Sequence, residues 1–336
     1  MSRHARPYSL WSLLPAALAL FAPIAAQAVD DVEAWTPTET ALKATAAGIV
    51  LPQTVAGLSL SKSGEASHGG RGIDNYAQYL SEDGAIQATL YVYLPAYADA
   101  SLAAYMTDKA VMDRFGPKTR RTAYASADAG GRRGTAIRAV YDDAADGALT
   151  TAAAFVHAGR WLVKLRVTGP GERRGEVLAG LDAMLAEMRF DDPATLHVAA
   201  PAKIDACPMT APNRIGGVLP RDGQGALCVR ATIATAEGPL AMIQQVGVKG
   251  GATIVPMDDT GATLAFEPAA NGKGYQLAIH SLGQTDLYGH YDEVPDANRI
   301  AAIIDGSDPA IARARSTTAY AASGGVSVDV AAMRDR

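Results

Sequence analysis

The sequence predicts an α+β protein: an antiparallel sheet flanked by helices, followed by a second, smaller α+β domain. Three observations predict it. Apolar residues recur at every second position in several runs joined by short turns, the mark of half-buried antiparallel strands. Two longer segments carry apolar stripes at helical spacing and end on clear stop signals. A stretch rich in proline, Asp191 to Pro201 followed by Pro208 and Pro212, separates a regular first half from a less regular second half.

The N-terminus reads as a cleaved leader. Arg3, His4 and Arg6 supply a basic start, Leu10 to Phe21 an apolar run, and Ala26-Gln27-Ala28 a small-x-small cleavage site. The run is too short to cross a bilayer, and no cysteine or arginine pair marks a lipobox or twin-arginine signal. Cleavage after Ala28 leaves 28 cations against 35 acids, a net charge of −7. The expected location is periplasmic or secreted, with no transmembrane segment in the mature chain.

Thr38 to Gly48 is expected to form a short helix, capped by Thr38 or Thr40, within a lead-in over 29–50. Ile86, Ala88, Leu90, Val92 and Leu94 alternate with polar positions and tyrosines, and Pro95 closes that strand. Asp99 or Ser101 then caps a helix that runs to Phe115 and stops at Gly116-Pro117. Strands are expected at Arg120 to Ala127, Thr135 to Asp142, Leu149 to His157 and Arg160 to Thr168. A helix from Glu172 to Met188 presents Val177, Leu178, Leu181, Met184, Leu185 and Met188 on one stripe. The first domain spans 51–192, a linker 193–206 and the second domain 207–336. In that second domain strands are expected at Leu227 to Ala234, Thr263 to Phe266, Tyr275 to His280 and Val326 to Val330. Helices are expected at Pro239 to Gln245 and at Ala297 to Ile304, the latter capped by Asp296.

Several segments of the first half have the order and punctuation of a known fold. "LPQTVAGLSL" forms an opening strand from Pro52 to Leu60, the strand Gln87 to Leu94 precedes a helix ending in "RFG", and "HAGRWLVKLRV" precedes a terminal helix and "MRF". Over Leu51 to Phe190 the chain resembles the PsbP/Mog1-like fold. The resemblance implies a sheet sandwiched by helices and an accessory or binding role in place of catalysis.

The chemistry-bearing residues are few. In an exported chain Cys207 and Cys228 are expected to pair as a structural disulfide, since no CxxC spacing suggests redox or metal work. His290, Asp292, Glu293 and Asp296 form the densest set of metal-capable ligands, yet they lack a calcium-loop register and precede a helix that Asp296 caps. Ser59-Leu60-Ser61-Lys62 matches SxxK inside a strand-like stretch without its companion motifs, and no GxSxG elbow occurs. Gly69-Gly70-Arg71-Gly72 lacks a phosphate-loop pattern and reads as a mobile hairpin. Tyr91, Tyr93 and Tyr97 read as an exposed or helix-covered strand face, with glycan or nucleotide stacking as the alternative. No cofactor is expected.

Charge divides the chain. From Lys109 to Arg174 the net is +7, while Asp191 to Arg336 carries −5. Strand alternation puts Arg160, Lys164 and Arg166 on one face, a basic surface able to hold an acidic partner. That partner is either the protein's own second half or an anionic envelope component. The acidic total argues against a nucleic-acid binder. The expected function is a non-enzymatic exported binding or accessory module. The alternative is a hydrolase or other enzyme whose site is assembled from residues distant in sequence.

Overall fold

Strands dominate the computed structural model of the protein. It describes residues 33–67, 70–202, 204–207, 226–236, 238–246, 252–269 and 272–331. The leader reading, Gly69, Pro208 and Pro212 lie outside these.

The chain opens with β1 (Trp35–Pro37), β2 (Ala41–Ala44) and β3 (Ile49–Pro52), then β4 (Thr54–Val55), β5 (Leu58–Glu65), β6 (Asp74–Ser81) and β7 (Gln87–Tyr93). Helix α1 (Ala100–Phe115) is followed by β8 (Arg120–Ala129), β9 (Arg132–Ala144), β10 (Leu149–Ala158) and β11 (Trp161–Pro170). Helix α2 (Arg174–Glu187) leads to β12 (Arg189–Phe190) and β13 (Asp205–Ala206). The second half contributes β14 (Ala226–Thr235), β15 (Gly238–Val246), β16 (Thr253–Pro256), β17 (Thr263–Pro268), β18 (Tyr275–Ser281) and β19 (Gln284–Tyr291). Helix α3 (Ala297–Ile304), β20 (Ser316–Tyr320) and β21 (Val326–Val330) complete it.

The α+β expectation is therefore corrected. Twenty-one strands and three α-helices among the described residues make a mostly-β protein, not a helix-flanked α+β sandwich followed by a small α+β domain. The strands form sheets of four (β1-β2-β3-β12), eight (β4-β5-β6-β7-β11-β10-β9-β8) and nine (β13 to β21 in sequence order). All pairings are antiparallel except β13 with β14.

Three local expectations fail for identifiable reasons. Thr38 to Gly48 is part of a β-meander, with Ala41 opposite Pro52 and Ala44 opposite Ile49. Leu42 and Ala44 are buried while Ala41 and Lys43 are half-buried, a period of two that outweighs the helix propensity of an alanine-rich stretch. Pro239 to Gln245 lies in β15, where Ala241, Met242, Ile243 and Gln244 are all buried. A strand covered on both faces loses its alternation and reads like a buried helix. The single strand expected at Pro52 to Leu60 is broken by a two-residue turn at Ala56 and Gly57, both at positive φ, which twists β4 back onto β5.

The layers explain which faces are apolar. Val177, Leu181, Met184 and Leu185 of α2 pack on one face of the eight-stranded sheet, against Leu90, Val92, Val163 and Leu165. Ala100, Ala103 and Ala104 of α1 pack on the opposite face, against Ile137, Phe155 and Leu162. Leu102 on another side of α1 enters a second cluster with Ile243, Ile254, Ala265 and Ala278 of the nine-stranded sheet. The far face of that sheet is covered by Ile300 and Ile303 of α3, packed on Leu264, Phe266 and Leu277. The order is α2, sheet, α1, sheet, α3, and residues from Asp31 onward cluster as one compact unit.

Residues 196–199 keep close to the eight-stranded sheet. Leu196 bridges Ala158, and Ala199 donates its N–H to Gly134.

Candidate functional site

The two large sheets meet at a seam, and the polar residues of the molecule that are buried across it gather there. Three elements build it. Asp99, at the N-terminus of α1, accepts from the N–H groups of Ser101 and Leu102 at 2.8 and 3.0 Å, which fixes the start of the helix. Burial pushes the Asp99 carboxyl above its ordinary pKa. Beyond β7 the backbone runs into the second sheet: Gly283 donates to Leu94 at 2.7 Å, and Ala96 to Ser281 at 2.9 Å. The β16–β17 turn supplies the third element. Asp258 Oδ1 accepts from the N–H groups of Thr260 and Ala262 at 2.8 and 3.0 Å, an Asx-type turn that presents Asp259 to the first sheet.

Lys164 sits at the centre. It occupies the middle of β11 and is only 5% exposed, and its Nζ lies 2.6 Å from Asp259 Oδ2. Thr107 of α1 donates to the same oxygen at 3.2 Å. The ammonium also lies 5.0 Å from the Tyr91 ring centre and 5.8 Å from that of Tyr93, so two ring faces support the charge. Those rings stack at 5.7 Å. Burial pushes the Tyr93 hydroxyl well above its usual pKa, and Asp259 adds to the effect. Asp74, paired with Tyr93 across β6 and β7, is also raised. Burial is the main cause, Glu65 and Asp258 add to it, and Lys164 opposes it.

Beside the seam opens a cleft of about 690 Å³. One wall is α1, with Met106, Lys109 and Asp113. The other comes from the second half, with Leu240, Met257, Asp259 and Ile304. Asp305 and Asp113 are exposed at its rim. A second hollow, of about 560 Å³, lies over β5 and α2, and at it Arg173 is bound to both Asp83 and Glu176.

Of the basic trio of the sequence, Lys164 and Arg166 lie on one face of β11 while Arg160 lies in the turn before it, and the three meet different surroundings. Arg160 is exposed, its guanidinium 5.5 Å from the Tyr320 ring centre. Arg166 is half-buried, with Nη2 3.5 Å from the Tyr91 hydroxyl. Lys164 is covered, and the acid that answers it belongs to the second half of the same chain.

The other sequence candidates are placed as follows. Cys207 and Cys228 form a disulfide, with a Cα–Cα distance of 4.8 Å, that fastens the end of β13 to β14. Asp296 caps α3 by accepting from the Arg299 N–H at 2.9 Å. His280 is buried between strands, its Nδ1 3.0 Å from Thr285 Oγ1. Among the described residues no three His, Cys, Asp or Glu side chains converge as a metal site. Ser59 to Lys62 lies within β5, where a register shift falls between Leu60 and Lys62.

Sequence reasoning missed Asp259, Thr107 and Asp74. One signal was available: a lysine between Val163 and Leu165 in an apolar strand requires a buried acid nearby. Nothing in the sequence says which acid.

No protein-family model matches the chain, and no curated protein sequence matches it.

Proposed function

We propose that the protein is an exported, non-enzymatic binding module that takes its ligand in the cleft at the seam. The cleft itself carries this reading. Its walls offer Met106, Leu240, Met257 and Ile304, while its rim offers carboxylates at Asp113 and Asp305. Such a site suits a ligand with an apolar body and a cationic group. The polar groups at its base are committed to one another, since Asp259 accepts from both Lys164 and Thr107. A disulfide supports an oxidising location, as does the leader read in the sequence.

The test is a paired screen. Short lysine–leucine peptides and anionic counterparts are titrated against the purified protein by thermal shift and calorimetry, alongside generic ester, phosphoester and glycoside substrates. The cationic apolar probes should bind and raise Tm, with no turnover of any substrate. Turnover abolished by Lys164→Met would favour the enzyme reading instead.

A further inference from the structure

The ends of the sheets are guarded unequally. A free strand edge exposes a row of unpaired N–H and C=O groups, and proteins usually blunt it with short strands, bulges, charges or proline. Among the described residues the edges of the first two sheets follow that rule. β4 and β12 have two residues each, and β1 has three and includes Pro37. β8 is long but carries Arg120 and Arg121 and register shifts after Arg121 and Ala127. One edge of the nine-stranded sheet is the two-residue β13, beside the disulfide.

The other edge is β21, which has no proline and no bulge and carries a single charge, Asp329. It is five residues long and fully exposed, and its register with β20 runs without a shift from Val326 to Val330. Val326, Val328 and Val330 are 58%, 62% and 70% exposed, all on one face by strand alternation.

The sequence of that strand says what fits it. Val-Ser-Val-Asp-Val is palindromic in its apolar positions about Val328. An antiparallel copy centred there sets Val326 opposite Val330, Val328 opposite Val328, and Ser327 opposite Asp329. Valines then pair with valines, and a hydroxyl donor faces each carboxylate. A parallel, in-register copy would set Asp329 against Asp329, a repulsive pair. The antiparallel arrangement is also the one that closes on itself about a two-fold axis, leaving only the two-residue β13 edges at the ends of the joined sheet.

We propose that β21 is a self-association edge: a second copy of this chain adds to it through antiparallel pairing of Val326 to Val330, joining two nine-stranded sheets into one.

The test is analytical ultracentrifugation of the purified protein over a wide concentration range, with Tm measured in parallel; every substituted side chain is exposed, so the fold itself should be untouched. The wild-type protein should dimerise reversibly. Val328→Lys, which sets two ammonium groups opposite each other, should give a monomer whose Tm matches that of the wild type diluted to its monomer. Ser327→Lys should tighten the dimer by about fivefold at low salt, since it creates two exposed Lys–Asp pairs, and the gain should shrink as salt rises. A protein that stays monomeric at every concentration overturns the proposal. So does a dimer that Val328→Lys leaves intact, or one that Ser327→Lys weakens.

Discussion

Lys164 of β11 and Asp259 of the β16–β17 turn, 95 residues apart in the chain, hold each other at 2.6 Å across the seam between the two large sheets. The lysine side chain is 7% exposed and the aspartate 28%. That asymmetry decides how the pair responds to substitution. Asp259→Ala strands a buried ammonium, and the protein should lose about 2–3 kcal/mol, the lower part of the range for buried pairs because Asp259 keeps some contact with water. Lys164→Met should cost less, since the thioether fills the volume against Tyr91 and Tyr93 and the abandoned carboxylate can hydrate. Combining Lys164→Met with Asp259→Ala should cost less than the sum of the two single losses. Urea unfolding of the four proteins measures the coupling, and additive losses would mean that the pair contributes nothing.

Asp74 gives a pH signature. Its carboxyl is raised above the ordinary value of 3.8. The folded protein then holds a proton that the unfolded chain has released, so this group favours folding below that value and the advantage is lost as pH rises through the folded pKa. Asp74→Asn should match wild type in strong acid and exceed it at neutral pH. Tm measured against pH for both proteins checks this. A neutral-pH Tm below wild type would contradict it.

The disulfide closes a separation of 21 residues. In the chain-entropy model a loop of that size contributes about 3 kcal/mol. Replacing both cysteines by serine should lower Tm by several degrees and expose β13 and β14 to hydrogen exchange first, because β13 is otherwise held by a two-residue ladder. Peptide mapping without reductant should recover the linked pair.

Gly261 tests the closeness of the seam. It adopts φ +102°, and a Cβ there would lie 2.7 Å from Pro95 Cβ across the two halves. Gly57 has φ +78° with nothing within 4 Å of its Cβ position. Gly57→Ala reports backbone strain alone, about 1 kcal/mol, whereas Gly261→Ala adds the clash and should cost about 2 kcal/mol or more. Equal losses in the two variants would show that the seam can open freely.

Individual elements were legible in the sequence but the fold class was not, and the failures share a cause. α1 was readable because Asp99 caps it and Gly116-Pro117 stops it, and the strand at Val326 to Val330 because its alternation meets solvent. The mostly-β character was hidden in elements whose local pattern is overridden by burial. β15 is covered by α1 on one face and α3 on the other, so Pro239 to Gln245 lost its period of two. β16, β19 and β20 went unread for want of a sustained alternation. At the site, Lys164 was read with Arg160 and Arg166 as one basic face; strand alternation groups Lys164 with Arg166, whereas Arg160 lies in the preceding turn. That the face is roofed at Lys164 by α1 and Asp259 depends on tertiary packing between segments far apart in sequence.

The reading of the cleft as a binding site stands or falls on whether both walls respond together. Hydrogen exchange of the full protein, with and without a lysine–leucine peptide that binds it, addresses this most directly. The account predicts simultaneous protection of Met106 to Asp113 on α1 and of Met257 to Gly261 on the opposing turn, lost on Asp305→Lys with Asp113→Lys. Protection confined to one wall, or spread over surfaces away from the seam and indifferent to those substitutions, would contradict it.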